Sequence, residues 1–246
     1  MFRILSLVAC GLLVTGCATT YSLSPVAGEG QQVTYDRGIA TVASEGEKAV
    51  VRVAPTATVF DARMTLGVVA YNLSEEGVNL GVENVRVFTA AGAPVRVYSY
   101  EQLEKEAKNA AAWQTFAVAL SAASQAYSAS QPTTVNTYGS VYGSGGYASY
   151  SGHTTVYNPA NAALANAAAQ AQADRRISNI RADLDATLAG LGSVMLRTTT
   201  VPPGQIFGGN VVAERPVFAK DEAPRLKVVV DFAGEEHEFE FGVGPG

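Results

Sequence analysis

Cysteine is nearly missing from this chain: Cys10 and Cys17 are the two in 246 residues. No CxxC pair exists, so neither a cysteine zinc site nor a dithiol redox motif is available. Histidine is as scarce, with His153 and His237 far apart and no HExxH helix to hold a metal. No GxSxG elbow occurs, and Gly204-x-x-x-Gly208-Gly209 lacks the Lys-Ser/Thr of a phosphate loop, so turn, bulge or close-contact glycines explain it. Basic runs are absent and the formal net charge is -5. An acidic chain without a positive stripe is a poor binder of nucleic acid or anionic headgroups. Together these absences argue against an enzyme. No catalytic residue, metal ligand or cofactor is assigned.

One local run invites chemistry. Glu235-Glu236-His237-Glu238 looks metal-like, but strand alternation is expected to send His237 and its Glu neighbours to opposite faces. His237 then reads as a rim-of-core residue, and His153 falls in a loop. A hydrolase built from dispersed carboxylates, such as Asp61 with a distant Glu, is the enzyme alternative.

What is present begins at the N-terminus. Arg3 supplies a positive n-region, Ile4 to Val14 a short apolar stretch, and Val14-Thr15-Gly16-Cys17 an aliphatic residue, two small residues and a cysteine. The apolar stretch is too short to span a bilayer, which marks a targeting segment. It resembles the leader and lipobox of bacterial lipoproteins. That resemblance implies a diacylglycerol on the Cys17 thiol, cleavage before Cys17, and acylation of the new amine. Two or more acyl chains anchor stably. Ala18, in place of the Asp of an inner-membrane retention signal, implies the outer membrane, with the chain facing the periplasm. Cys10 would leave with the leader, so the mature protein would form no internal disulfide.

The remaining pattern divides the chain. Residues 1–16 are the signal peptide. Residues 17–44, rich in Thr, Ser, Pro, Gly and Gln, read as anchor and flexible tether. Residues 45–98 alternate as strands, with Met64, Leu66, Val68 and Ala70 on one face. Residues 194–246 return to strands. They end in a hairpin whose Leu226, Val228, Val230, Phe232, Phe239, Phe241 and Val243 point inward while Glu236, Glu238 and Glu240 make an acidic outer face. Its turn is either Gly234-Glu235, suited to type II′, or Ala233-Gly234.

Residues 99–193 are Ala-rich and change period. One helix runs from Ser99, a candidate N-cap, to about Ser128, with an apolar line of Leu103, Ala107, Ala110, Trp113, Ala117, Leu120, Ala123 and Tyr127. Gln114, Ser121, Ser124 and Gln125 interrupt it as a membrane span. A second begins near Pro159 and ends at Gly190 and Gly192. Its line is Leu164, Ala167, Ala171, Ile177, Ile180, Leu184, Leu188 and Leu191. The expected fold is α+β: an antiparallel β-sandwich, immunoglobulin-like in general shape, with an inserted Ala-rich helical hairpin.

The tip, 129–158, carries Tyr138, Tyr142, Tyr147, Tyr150 and Tyr157 among Ser, Gly and Thr. It reads as a disordered or weakly β low-complexity connector, as a contact surface, or as a segment that self-associates by β pairing. The expected function is non-enzymatic: a lipid-anchored envelope protein in a binding, scaffold or assembly role. The arm and these tyrosines would contact an envelope protein or another copy. The alternative is a module that binds peptidoglycan or a surface polysaccharide.

Overall fold

Branched apolar residues alternating with polar ones build the strands here, because successive strand side chains point to opposite faces. A computed structural model describes residues 20–36, 38–57, 59–129, 133–143, 146–156, 159–219 and 221–246. The expected leader, with Cys10, Cys17 and Tyr157, lies outside the described residues. The chain mixes helix with mostly antiparallel sheet and divides into two compact units: Met1–Ser99 with Val194–Gly246, and Tyr100–Ser193.

The strands are, in chain order, β1 (Tyr21–Val26), β2 (Gln31–Asp36), β3 (Ile39–Glu45), β4 (Ala49–Pro55), β5 (Val59–Phe60), β6 (Arg63–Asn72), β7 (Val78–Leu80), β8 (Val85–Thr89), β9 (Pro94–Val95), β10 (Val97–Tyr98), β11 (Thr133–Gly143), β12 (Gly146–Val156), β13 (Thr199–Val201), β14 (Ile206–Glu214), β15 (Arg225–Phe232) and β16 (Glu235–Pro245). The helices are α1 (Tyr100–Ala129) and α2 (Pro159–Val194).

In the first unit one six-stranded sheet has the order β5-β1-β16-β15-β8-β9 and the other β10-β14-β6-β4-β3-β2. Met64, Leu66, Val68 and Ala70 of β6 and Leu226, Val228, Val230 and Phe232 of β15 fall in a single buried cluster. Residues from two sheets in one core are compatible with a β-sandwich. Chain crossing between the sheets is abrupt, since β9 pairs with β8 while β10 pairs with β14.

The tether expected over residues 17–44 is corrected: much of it is β1, β2 and β3. All six residues of β1 pair with β16, Leu23 lying opposite Val243, and both are buried. Its Ser and Pro composition gives no local sign of this, because the partner strand is more than two hundred residues away. The hairpin turn is Ala233-Gly234, with φ of 55° and 78°. Two positive angles make a type I′ turn, which places Phe232 opposite Glu235. Gly209 is a close-contact glycine: a Cβ there would come within 2.7 Å of the Leu196 backbone.

Both helices depart from their expected apolar lines. On α1, Leu103 is buried and Ala107 half-buried, but Ala110, Trp113, Ala117, Leu120, Ala123 and Tyr127 are exposed. A half-buried row runs instead through Glu104, Ala107, Ala111, Thr115, Val118, Ala122 and Ala126, with Ser121 half-buried beside it. On α2 the exposed residues Leu164, Ala167 and Ala171 yield to Ala162, Asn166, Ala169 and Ala173, after which Ile177, Ile180, Leu184, Leu188 and Leu191 follow in phase. Both covered rows advance by steps of four and three that repeat every eleven residues, the spacing that stays on one face of a nearly straight helix. Val118 and Ala122 share a crevice with Ala169 and Ala173. An Ala-rich helix offers little contrast between faces, so small residues that permit close approach win over large ones. α2 also continues through Gly190 and Gly192 to Val194, a tolerable cost of about 1 kcal/mol per glycine.

Asn72 is the polar hub of the first unit and is fully buried. Its Nδ2 donates to the carbonyls of Glu76 (2.7 Å) and Val201 (2.8 Å). Its Oδ1 accepts from the Ser74 amide (3.0 Å) and hydroxyl (2.6 Å). The side chain thus ties the end of β6 to its following turn and to β13. Asn72→Ala is expected to destabilise the protein by about 2–3 kcal/mol, since it strands buried partners. A urea midpoint unchanged from the parent would refute this.

Candidate functional site

His237 sits in β16 on the same face as Phe239, Phe241 and Val243, which carries its ring inside, 3 % exposed. Its Nδ1 lies 3.1 Å from the Ser44 hydroxyl of β3, in the other sheet. Nε2 makes no hydrogen bond and faces the Glu235 carboxylate at 3.8 Å. Here the sequence expectation is corrected: Glu236 and Glu238 do point away, but Glu235 is two residues back and shares the face of His237.

Glu235 has partners of its own. Its Oε1 accepts the amide of Glu47 at 3.0 Å, and both oxygens accept the amide of Lys48 at 3.1 Å. These amides belong to the β3–β4 turn, where a Cβ on Gly46 would collide with the carboxylate. Ser44, His237 and Glu235 thus stand in a row that has the residue types of a nucleophilic array. Its geometry is that of a clasp. The carboxylate is spent on turn amides, and 3.8 Å from Nε2 is beyond hydrogen-bond reach. The clasp joins the β15–β16 hairpin to the β3–β4 turn, one from each sheet.

The outer face of β15 and β16 is corrected too, from acidic to mixed. Arg86 binds Asp231 through two nitrogens (3.1 and 3.2 Å) and reaches Glu236 at 3.3 Å. Lys227 pairs with Glu238, and Arg225 with Glu240 at 3.7 Å. A crevice of about 660 Å³ opens beside them, lined by Phe88, Val229 and these basic side chains. Each cation already has an acid, and such half-exposed pairs are worth under about 1 kcal/mol. Asp61, the carboxylate considered for a hydrolase, sits in the β5–β6 turn and accepts the amide of Ala62. Among the described residues no three His, Cys, Asp or Glu side chains gather as a metal-ligand group.

The second unit holds the tyrosines. The expected connector contains a β-hairpin of two eleven-residue strands, β11 and β12. Tyr142 pairs with Tyr147, Tyr138 with Ser151, and Tyr150 with Gly139. By alternation Tyr138, Tyr142 and Tyr147 occupy positions of one face and Tyr150 the other. Tyr138 is exposed, and Tyr157 lies outside the described residues.

Sequence reasoning passed over a larger signal: no Asp, Glu, Lys or Arg occurs between Asn109 and Ala173. In that stretch Trp113, Phe116, Leu120, Tyr127 and Leu164 are all exposed. Among the described residues no helix is long and apolar enough to cross a membrane.

Burial holds the His237 imidazole below its ordinary value of 6.5, outweighing Glu235, which pulls the other way. The unfolded chain therefore takes up the proton first as pH falls. Its share of stability is complete above about pH 6.5 and is lost below it. Chemical denaturation of the parent between pH 7.5 and 5.5 should show that loss, and His237→Gln should flatten it. Equal slopes for the two proteins would refute the assignment.

No family model matches the chain, and searches of curated proteins and of solved structures return no match.

Proposed function

We propose that this protein is a lipid-anchored component of the bacterial envelope, held at the outer membrane through Cys17 and facing the periplasm, with a non-enzymatic binding or assembly role. In this reading the first unit is a β-sandwich, immunoglobulin-like in general shape. The second is a helical hairpin that carries the contact surface. The observation that supports it is the run from Asn109 to Ala173, which has no ionised side chain of Asp, Glu, Lys or Arg yet exposes large apolar residues. A surface that binds nothing gains solubility from charge, and exposed apolar area without charge marks an interaction site.

Deleting residues 133–156 should remove co-purifying envelope proteins while leaving the urea midpoint of the first unit unchanged. An identical set of partners would overturn the role of the tip. Cys17→Ser should move the protein from the membrane to the soluble fraction with its fold intact. Retention in the membrane would refute lipid anchoring as the means of attachment.

Glycan binding is the second reading. Its support is the placing of Tyr138, Tyr142 and Tyr147 at positions of one hairpin face, since aromatic faces stack on sugar rings. Purified sacculi should then retain the parent and lose the triple Tyr→Ala variant.

A further inference from the structure

Among the many residues exposed along α1, those carrying the large apolar side chains fall in one ordered row. Asn109, Trp113, Phe116, Leu120, Ala123 and Tyr127 follow steps of four, three, four, three and four. That is the heptad spacing of a coiled-coil seam. It differs from the eleven-residue spacing of the covered row and lies on the opposite side of the helix. Exposure is 72 % for Trp113, 59 % for Phe116, 61 % for Leu120 and 70 % for Tyr127. Trp113 and Phe116 meet edge to face, their rings 6.1 Å apart. Asn109, Ala112, Trp113 and Phe116 border a hollow of about 310 Å³. Those four are the residues that frame a hole for an incoming knob.

We propose that this seam packs, antiparallel, on the same seam of a second copy of the chain. The inference rests on the interaction reading above and names the partner for α1. Three observations select a second copy. First, the spacing reads the same in both directions. Reversing one copy sets Trp113 against Ala123, Phe116 against Leu120 and Tyr127 against Asn109, each pair occurring twice about a two-fold axis near Val118. The largest side chain thereby meets the smallest, and every seam position is used.

Second, the chain is acidic overall, with a net charge of -5, so copies repel over most of their surface. The stretch from Asn109 to Ala129 has no ionisable side chain other than Tyr127, which lets two copies approach without like-charge contact. Third, the four large side chains offer on the order of 500 Å² per copy. That is the low end of specific interfaces, which predicts association that is concentration-dependent in solution and strengthened when both copies share one membrane.

The test uses the full chain carrying Cys17→Ser, so that no acyl chain contributes, alone in solution. Sedimentation velocity reads mass. Trp113, the one tryptophan, reports burial of the seam by its emission. The expected result is a rise from monomer to dimer with concentration, accompanied by a blue shift. Phe116→Glu with Leu120→Glu should weaken dimerisation at least tenfold, because it buries unpaired charge. Both residues are exposed in the single chain, so thermal unfolding should be unchanged.

A parent that stays monomeric at every concentration overturns the proposal. So does dimerisation that survives the double variant. A blue shift seen only with phosphatidylcholine vesicles, without a change in mass, assigns the seam to lipid and also overturns it. None of these outcomes alters the set of envelope partners lost on deletion of the tip, so the two readings fail separately.

Discussion

A β-sheet exposes apolar side chains on one face unless something covers them, and in the first unit each six-stranded sheet supplies residues to the same buried cluster. Met64, Leu66 and Val68 from one sheet and Phe239, Phe241 and Val243 from the other all fall within it. Much else follows from this shared burial. It makes alternate residues of β4, β6, β8, β15 and β16 apolar, and it leaves most of the intervening positions to solvent, where Arg86, Lys227, Glu236 and Glu238 form compensated pairs. It also draws in β1, whose Leu23 joins the same cluster as the strand adds to β16.

Polar groups complete that core at defined points. Asn72 spends all four of its hydrogen-bonding positions on the chain around it. Glu235 is held by turn amides, and His237 by Ser44. Such contacts add little net energy when made and cost much when broken, because the partner is left buried without water. Two distant segments, the β3–β4 turn and the β15–β16 turn, are thereby joined by side chains whose chemistry would otherwise suggest catalysis. In this structure 3.8 Å separates the carboxylate from the imidazole, and the oxygens already have donors, which is the geometry of a clasp.

The second unit follows a different logic. Alanine lets helical surfaces approach closely, so its covered rows are small residues spaced for a straight helix. Large residues, Trp113 and Phe116 among them, are left outside on α1. Excluding charge from Asn109 to Ala173 removes the usual means by which a soluble surface avoids association. An anchor at Cys17, as proposed, would act on such a surface by raising its local concentration.

Much of this was legible in the sequence. The strands β4, β6, β15 and β16 follow from branched apolar residues that largely alternate, a local property written in consecutive residues. The existence of both helices follows from an Ala-rich stretch whose α1 segment lacks Gly and Pro. Three things were decided only by tertiary structure. The pairing of β1 with β16 joins residues more than two hundred positions apart, and no periodicity records a distant partner. The approach of Glu235 to His237 depended on a turn brought from the other sheet. Finally, α1 carries apolar residues on two sides, and which side is covered depends on how closely a neighbour can approach. Composition cannot settle that, because alanine, which contributes least to hydrophobicity, permits the closest contact.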